Sequence, residues 1–137
     1  MKGTNMFQVF GNEVYSTDEI CKILQNEYGI TVITDLTKST DRDDVIALKC
    51  GISKDIFNIA DFDMQNENDF ENALEKCNSY ISGIIDKLDI KYSLNKCQAY
   101  KYDEHNNYIK VIICIMYIET ARKKLNDIFK RLLKNND

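Results

Sequence analysis

Tyrosine and lysine side chains recur along the segment that we expect to form a long C-terminal hairpin, residues 90–118. If this hairpin closes symmetrically about its polar five-residue turn, Tyr102 faces Tyr108. Tyr100 then faces Lys110, and Lys96 faces Cys114, in the same way. One side of the hairpin would carry aromatic rings interleaved with cations, and such a strip can stack a nucleobase or hold a partner's side chains. The candidate binding residues are Tyr92, Lys96, Tyr100, Tyr102, Tyr108 and Lys110.

A purely structural role for these tyrosines stays open. Cross-strand aromatic pairs stabilise a hairpin without any ligand. The placement of all six candidate residues on one side also depends on the strand register, because a shift by one residue moves every side chain to the opposite face.

Carboxylates concentrate in two stretches of the first half of the chain. The acidic candidates are Asp41, Asp43 and Asp44 in the first stretch, and Asp61, Asp63 and Glu67 in the second. A face of spaced carboxylates can imitate a nucleic-acid backbone toward a basic partner, although such residues more often act only as solubilising charge. The second stretch also begins like a calcium-binding loop, but Asn66 stands where that loop needs glycine and Asn72 where it needs glutamate. We therefore predict no metal site.

Residues that commonly carry catalysis are sparse. The chain has one histidine, His105, which falls in the predicted hairpin turn, and it contains no nucleophile-elbow, phosphate-loop, dinucleotide-binding or zinc-protease motif. Its five cysteines are spaced at least 17 residues apart, so none forms a C-x-x-C pair, and they are typical of reduced thiols in the cytoplasm. We expect neither an enzyme nor a bound cofactor.

The charge of the chain is divided between its two halves. Residues 1–75 hold 6 Lys/Arg and 15 Asp/Glu, a net of -9, whereas residues 76–137 hold 12 and 7, a net of +5. The total is -4 and the isoelectric point is about 5.1, which argues against general nucleic-acid binding. No apolar run approaches the length of a membrane span, so we expect no membrane partner.

The pattern of apolar and turn-forming residues predicts one α+β domain over residues 1–137. We expect a mainly antiparallel sheet with packed helices, in the element order ββ-α-βββ-α-ββ-α. A hairpin around Gly11 is followed by Ser16, whose hydroxyl can cap a helix that stops at Gly29. Three strands are then predicted at residues 30–37, 45–48 and 56–64. Gly51 is expected to end the second of these strands.

Two further helices are predicted at residues 70–88 and 120–134, on either side of the long hairpin. The second strand of that hairpin, residues 108–118, is apolar on both faces. A strand of this kind needs cover on both sides, so it should lie inside the sheet.

The element order α-β-β-β-α-β-β-α between residues 17 and 134 resembles the fold of type III secretion chaperones and the related YbjN-like proteins. The likeness is greatest in the helix at 70–88, in the hairpin with its Asp103-Glu104 turn, and in the closing amphipathic helix. This resemblance implies a small, acidic, cytosolic, usually dimeric protein that binds other proteins and catalyses nothing. It assigns a role to no individual residue.

These observations favour a cytoplasmic, non-enzymatic binding protein that acts as a homodimer on a protein partner. Its role would be that of an inhibitor, an adaptor or a chaperone, and an inhibitor encoded by a phage or another mobile element is one concrete form. The alternative is a small-ligand binder that sequesters a nucleotide-like molecule on the tyrosine and lysine side chains of the hairpin.

Overall fold

The structure, a computed structural model of the 137-residue chain, describes residues 7–56 and 63–136. Its strands are β1 Phe7–Phe10, β2 Glu13–Ser16, β3 Thr31–Asp35, β4 Val45–Ser53, β5 Ser93–Asp103 and β6 Tyr108–Tyr117. Its helices are α1 Thr17–Tyr28, α2 Glu67–Leu88 and α3 Ile118–Asn136, and short 3-10 turns follow β3 at Thr37–Thr40 and β4 at Lys54–Ile56. The predicted α+β class is confirmed.

Among the described residues, four strands form the main sheet in the order β3-β4-β6-β5, and every neighbouring pair is antiparallel. β6 lies inside this sheet, as predicted from its two apolar faces. β1 and β2 form a separate two-stranded hairpin. A hydrogen bond of 2.6 Å from the Val9 N–H to the Asp43 carbonyl fixes that hairpin beside the first residues of β4.

Helices cover both faces of the main sheet. α1 and α2 pack on one face, in a core that includes Leu24, Cys77 and Ile113. α3 packs on the other face, where Phe129 meets a core that includes Ile112. β4 and β6 supply alternate side chains to both cores, which explains why the sequence of each is almost continuously apolar.

Side-chain caps fix the beginnings of two helices, and the sequence analysis predicts the first of them. Ser16 Oγ accepts a hydrogen bond of 3.3 Å from Glu19 N, and Gly29 ends α1 in the left-handed conformation with φ of 66°. Asn66 has the equivalent place in α2 and accepts a hydrogen bond of 3.1 Å from Asp69 N. Each cap satisfies a backbone N–H that has no partner inside the helix.

One strand prediction is wrong, and another lies mainly outside the described residues. β4 continues through Gly51 instead of ending before it, and it pairs with β6 along its whole length. The predicted strand at 56–64 falls mainly on residues 57–62, which lie outside the described residues. At its two ends, Ile56 belongs to a 3-10 turn and Met64 to the turn before α2.

Candidate binding site

A β-bulge in β5 sets which side chains share a face of the long hairpin. Ala99 pairs with Val111, but Lys101 pairs with Lys110, so Tyr100 is an extra residue on β5. Such a bulge exchanges the faces of every side chain beyond it relative to a regular strand. α2 fastens β5 next to the bulge, because Asn78 Oδ1 accepts a hydrogen bond of 2.6 Å from Ala99 N.

The bulge makes two of the three predicted cross-strand pairs wrong, whereas Lys96 pairs with Cys114 as predicted. Tyr102 pairs with Ile109 instead of Tyr108, and Lys110 pairs with Lys101 instead of Tyr100. The symmetric closure that we expected assumed an unbroken alternation along β5, and the extra residue breaks it.

The six candidate residues therefore do not form one strip. Lys96 lies on the α3 face, with its Nζ 5.7 Å from the centre of the Phe129 ring. Tyr100 is on the same face and donates its hydroxyl hydrogen to the Asn136 carbonyl at 2.8 Å. Tyr102 lies on the opposite face, against the core under α1 and α2. Tyr92 precedes β5 at the far end of the hairpin and is 52% exposed.

The same bulge brings together a set of residues that the sequence did not predict as a group. Lys101 lies directly opposite Lys110, and on the other side of β6 Lys110 pairs with Gly51 of β4. Lys49 precedes Gly51 by two residues and so points to the same face. We call Lys49, Lys101, Lys110 and the adjacent Tyr108 the basic sheet face.

The three lysines of the basic sheet face lie close enough together for their charges to repel one another. Burial lowers the pKa of Lys49 below its ordinary value, and the positive charges of Lys110 and Lys101 lower it further. None of the three makes an ion pair with a carboxylate in the described parts of the chain. The repulsion among them is therefore not cancelled by a salt bridge within residues 7–56 and 63–136.

One acidic side chain is near this cluster. Asp103 pairs with Tyr108 on the neighbouring strand. Hydrogen bonds from the Asn106 side chain and backbone are the main reason that the pKa of Asp103 lies below its usual value, and the charge of Lys110 adds to them. Asp103 is thus held in the turn by Asn106, at distances of 2.9 and 3.1 Å, and does not bridge to a lysine.

The floor of the basic sheet face is formed by Gly51 and the ring of Tyr108. A Cβ placed on Gly51 would lie 2.5 Å from Cδ2, 2.6 Å from Cε2 and 2.7 Å from Cγ of Tyr108. These distances are far below van der Waals contact, so the ring occupies the space that a side chain at position 51 would need. The absent side chain is what allows the aromatic ring to lie against β4 at Gly51.

The predicted acidic face divides into two places at opposite ends of the sheet. Asp41, Asp43 and Asp44 precede β4 at the end where Val45 pairs with Met116. Asp63 and Glu67 lie at the start of α2, which a hydrogen bond of 2.8 Å from Gln65 to Glu104 ties to the β5–β6 turn. Asp61 lies outside the described residues.

Within the first acidic group the side chains differ in their environment. Arg42 donates to both carboxylate oxygens of Asp44, at 2.8 and 3.1 Å. Burial raises the pKa of Asp44, but hydrogen bonds from Arg42 and Thr120 and the Arg42 charge outweigh it, so the pKa lies below its ordinary value. Asp41 and Asp43 are exposed. Among the described residues, Asp41 and Asp43 therefore make no ion pair, whereas Asp44 does.

The buried thiols are unsuited to nucleophilic chemistry. Cys50, Cys77 and Cys114 are buried in the two cores and form no disulfide. Burial raises the pKa of Cys77 and Cys114 to about 12, and it also raises the pKa of Cys50. These side chains are therefore protonated at neutral pH and act as small apolar residues.

The described residues contain neither a metal-binding cluster nor a membrane-spanning helix. Within residues 7–56 and 63–136, no three His, Cys, Asp or Glu side chains are grouped so that they could hold a metal ion. In the same part of the chain, no helix combines the length and apolar character needed to cross a membrane.

The chain was also compared with protein-family models, curated proteins and solved structures, and nothing in the three comparisons matches it.

Proposed function

We propose that this chain is a non-enzymatic binding protein that acts on a protein partner, as an inhibitor, an adaptor or a chaperone. The basic sheet face holds an acidic segment of that partner. The observation that supports this proposal is the convergence of Lys49, Lys101 and Lys110, from three adjacent strands, on one face of the sheet.

The lysines stand beyond the part of the sheet that α3 covers. α3 buries Ala47, Ile112 and Cys114, and its last residue, Asn136, meets Tyr100 at the bulge. Farther along the strands the α3 face carries the lysines, of which Lys101 is exposed and the other two are half-buried. An extended acidic segment laid on this part of the sheet would reach all three cations.

The arrangement costs stability unless an anion is bound. Like charges directly opposite each other on neighbouring strands are destabilising, and Lys101 faces Lys110 in this way. A carboxylate-rich segment would remove the repulsion and add charge-assisted hydrogen bonds. A cluster that is unfavourable in the free protein and favourable in a complex is what a binding role requires.

The same proposal covers the compartment, the oligomeric state and the origin of the protein. We place the protein in the cytoplasm because its described cysteines are unpaired thiols, and we propose that it is a homodimer. Its size and acidity are typical of inhibitors that phages and other mobile elements encode, and we include that origin in the proposal.

A second candidate function is the binding of a nucleotide-like molecule at the same face. It is favoured by the half-buried ring of Tyr108, which lies against Gly51 next to Lys110. An aromatic ring can stack on a base while the lysines hold phosphate groups. Small ligands, however, usually bind in concave sites, and the basic sheet face is formed by the side chains of neighbouring strands of a sheet.

Calorimetric titration with two probes separates these functions. The probes are a ten-residue peptide of alternating glutamate and serine, and ATP. We expect the peptide to bind the wild-type protein and to bind at least tenfold more weakly to the K101E/K110E variant. Raising the salt concentration should weaken the binding as well, because the contacts are ionic.

The matched control is K123E/K124E, which changes the net charge by the same amount at exposed positions of α3. It should bind the peptide as the wild type does. Equal losses in both variants would show a response to net charge alone and would contradict the proposal. ATP binding without peptide binding would support the nucleotide alternative instead. In that case, ATP at 100 times its dissociation constant should raise the free energy of unfolding by about 2.7 kcal/mol.

A further inference from the structure

β5 forms one edge of the main sheet, and its backbone groups alternate between β6 and that edge. Among the described strands, β5 pairs only with β6. The Tyr92 carbonyl, just before β5, accepts a hydrogen bond of 2.7 Å from Ile118 N on the β6 side. Ala99 N instead donates to Asn78 Oδ1 of α2. Since the two sides alternate along an antiparallel strand, the odd-numbered residues between Tyr92 and Ala99 direct their N–H and C=O groups away from β6.

Three residues therefore form a free stretch of this edge, namely Ser93, Asn95 and Cys97. Tyr92 has the left-handed conformation with φ of 58°, so the extended strand does not continue before Ser93. At the other end, Ala99 N is already bonded to α2, whereas no hydrogen bond within the described residues joins a backbone N–H of the free stretch to that helix. An edge of this kind is a template for another extended strand, and this one has Asn95 at its centre.

The space beside the free stretch is open. A groove of about 560 Å³ lies between α2 and β5, and residues 95–97 form its β5 wall. Its α2 wall includes the small residues Ser79, Ser82 and Gly83, and nothing described lies within 4 Å of a Cβ placed on Gly83. On the opposite face of β5, Leu94 is 38% exposed. A strand added at this edge would therefore find room beside α2 and would cover an apolar residue.

We propose that a second copy of this chain occupies this edge, so that the two β5 strands pair antiparallel about a two-fold axis at Asn95. Asn95 then faces its own counterpart, and Ser93 of each chain faces Cys97 of the other. Each of these three pairs exchanges two backbone hydrogen bonds, roughly six in all. The proposal rests on the homodimer included in the proposed function and names its interface. The basic sheet face lies beyond the bulge and takes no part in it.

The limits of the free stretch select this axis over the neighbouring ones. With the axis at Lys96, each Lys96 would face its own counterpart, and like charges directly opposite each other are destabilising. Ser93 would also have to pair with Ala99, whose N–H is taken. With the axis at Leu94, the last free residue would have no counterpart within β5. The central axis leaves no free group of the stretch unpaired.

A second copy is favoured over a strand of another protein because this edge is complementary to itself. A two-fold interface brings the same patch of both chains together, and the free stretch has one free residue on either side of its centre. On the α3 face, the exposed Leu94 and the exposed Lys96 flank Asn95. Leu94 of each chain would lie opposite Lys96 of the other, whose hydrocarbon stem can cover it.

Sedimentation velocity of the full chain at high micromolar concentration tests this interface. We expect the wild type to be a dimer. N95K places two like charges on the two-fold axis and should raise the dissociation constant of the dimer at least tenfold. The matched control is N26K, which makes the same change at an exposed position of α1 and should dimerise as the wild type does. Circular dichroism of both variants checks that they are folded.

Disulfide formation locates the interface by a second route. In the proposed register the two Cα atoms of residue 95 are about 5.5 Å apart, which is within the range of a disulfide. N95C should therefore form a covalent dimer under mild oxidation. N26C has the same native cysteines and an exposed thiol on α1, and it should not form one.

The outcomes separate this interface from the proposed function. A monomeric wild type would overturn both the interface and the homodimer, and would leave the edge to a strand of another protein. A dimer that N95K does not weaken, or that N95C cross-links no better than N26C, would overturn this interface alone. N95K should still bind the acidic peptide as the wild type does, because the basic sheet face is separate, and loss of that binding would contradict this separation.

Discussion

Replacing Gly51 by alanine tests the geometry of the basic sheet face. The new Cβ would lie 2.5 Å from Cδ2 of Tyr108, so the ring must move by about 1 Å to restore normal contact. Inserting an atom into occupied space costs about 1–3 kcal/mol, and we expect the lower half of that range because Tyr108 is only half-buried. Alanine inside a strand raises the free energy of unfolding by about 0.5–1 kcal/mol relative to glycine. The net expectation for G51A is a loss of up to about 1.5 kcal/mol in the free energy of unfolding.

A double-mutant cycle with Y108A isolates the clash. Once the ring is removed, G51A should stabilise the protein by about 0.5–1 kcal/mol, so the two changes couple by about 1–2 kcal/mol. The four proteins are compared by urea denaturation, and equal m-values are required for the comparison.

Gly83 supplies the control for this cycle. It lies inside α2 and has nothing within 4 Å of a Cβ placed on it. G83A should therefore add up to about 1 kcal/mol whether or not Tyr108 is present. If the coupling between G51A and Y108A were near zero, the ring would not lie against Gly51 and the description of this face would be wrong.

Three further predictions concern charge and thiols. K101E should stabilise the free protein by about 0.2–1 kcal/mol in urea denaturation, because it turns the like-charge pair with Lys110 into an opposite-charge pair, while it weakens binding of the acidic peptide. Cys77 and Cys114 should react with a thiol-specific reagent at pH 8 only after unfolding, since burial raises the pKa of each to about 12; rapid reaction in the native state would contradict their placement. The pKa of Asp44 is lower in the folded protein than in the unfolded chain. The contribution of this carboxylate to the free energy of unfolding is therefore complete above the unfolded pKa of about 3.9, and it is lost as the pH falls through the folded pKa. The urea midpoint of the wild type should therefore fall more steeply below about pH 4 than that of D44N.

The sequence predicts the parts of the fold that depend on local chemistry or on a simple apolar pattern. Ser16 and Gly29 are standard helix caps, and they bound α1 as expected. The two apolar faces of residues 108–118 place β6 inside the sheet, because both faces must be covered. These features need no knowledge of distant contacts.

The candidate site was predicted less well because it depends on one inserted residue. The bulge at Tyr100 has no glycine or proline to mark it, and it is fastened by Asn78 from a different element. Without it, Lys101 would be assigned to the face opposite Lys110. Lys49 was also missed, although its spacing from Ala47 along β4 places it on the α3 face. The alternation along β4 was the signal that could have found it.

Gly51 shows a similar limit. Glycine weakens a strand interior, so its position favours a break, but β4 continues to pair with β6 through Ser53 and the Tyr108 ring fills the space beside Gly51. The ring comes from a residue 57 positions away in the sequence, and local patterns contain no information about such a contact.

Native mass spectrometry of the protein, purified gently from its own host, tests the central claim most directly. The wild type, K101E/K110E and K123E/K124E are measured side by side. We predict that a partner protein accompanies the wild type and K123E/K124E and is absent from K101E/K110E. A partner retained by K101E/K110E would contradict the claim that the basic sheet face binds it, as would a bare homodimer or a bound species of only a few hundred daltons in all three samples.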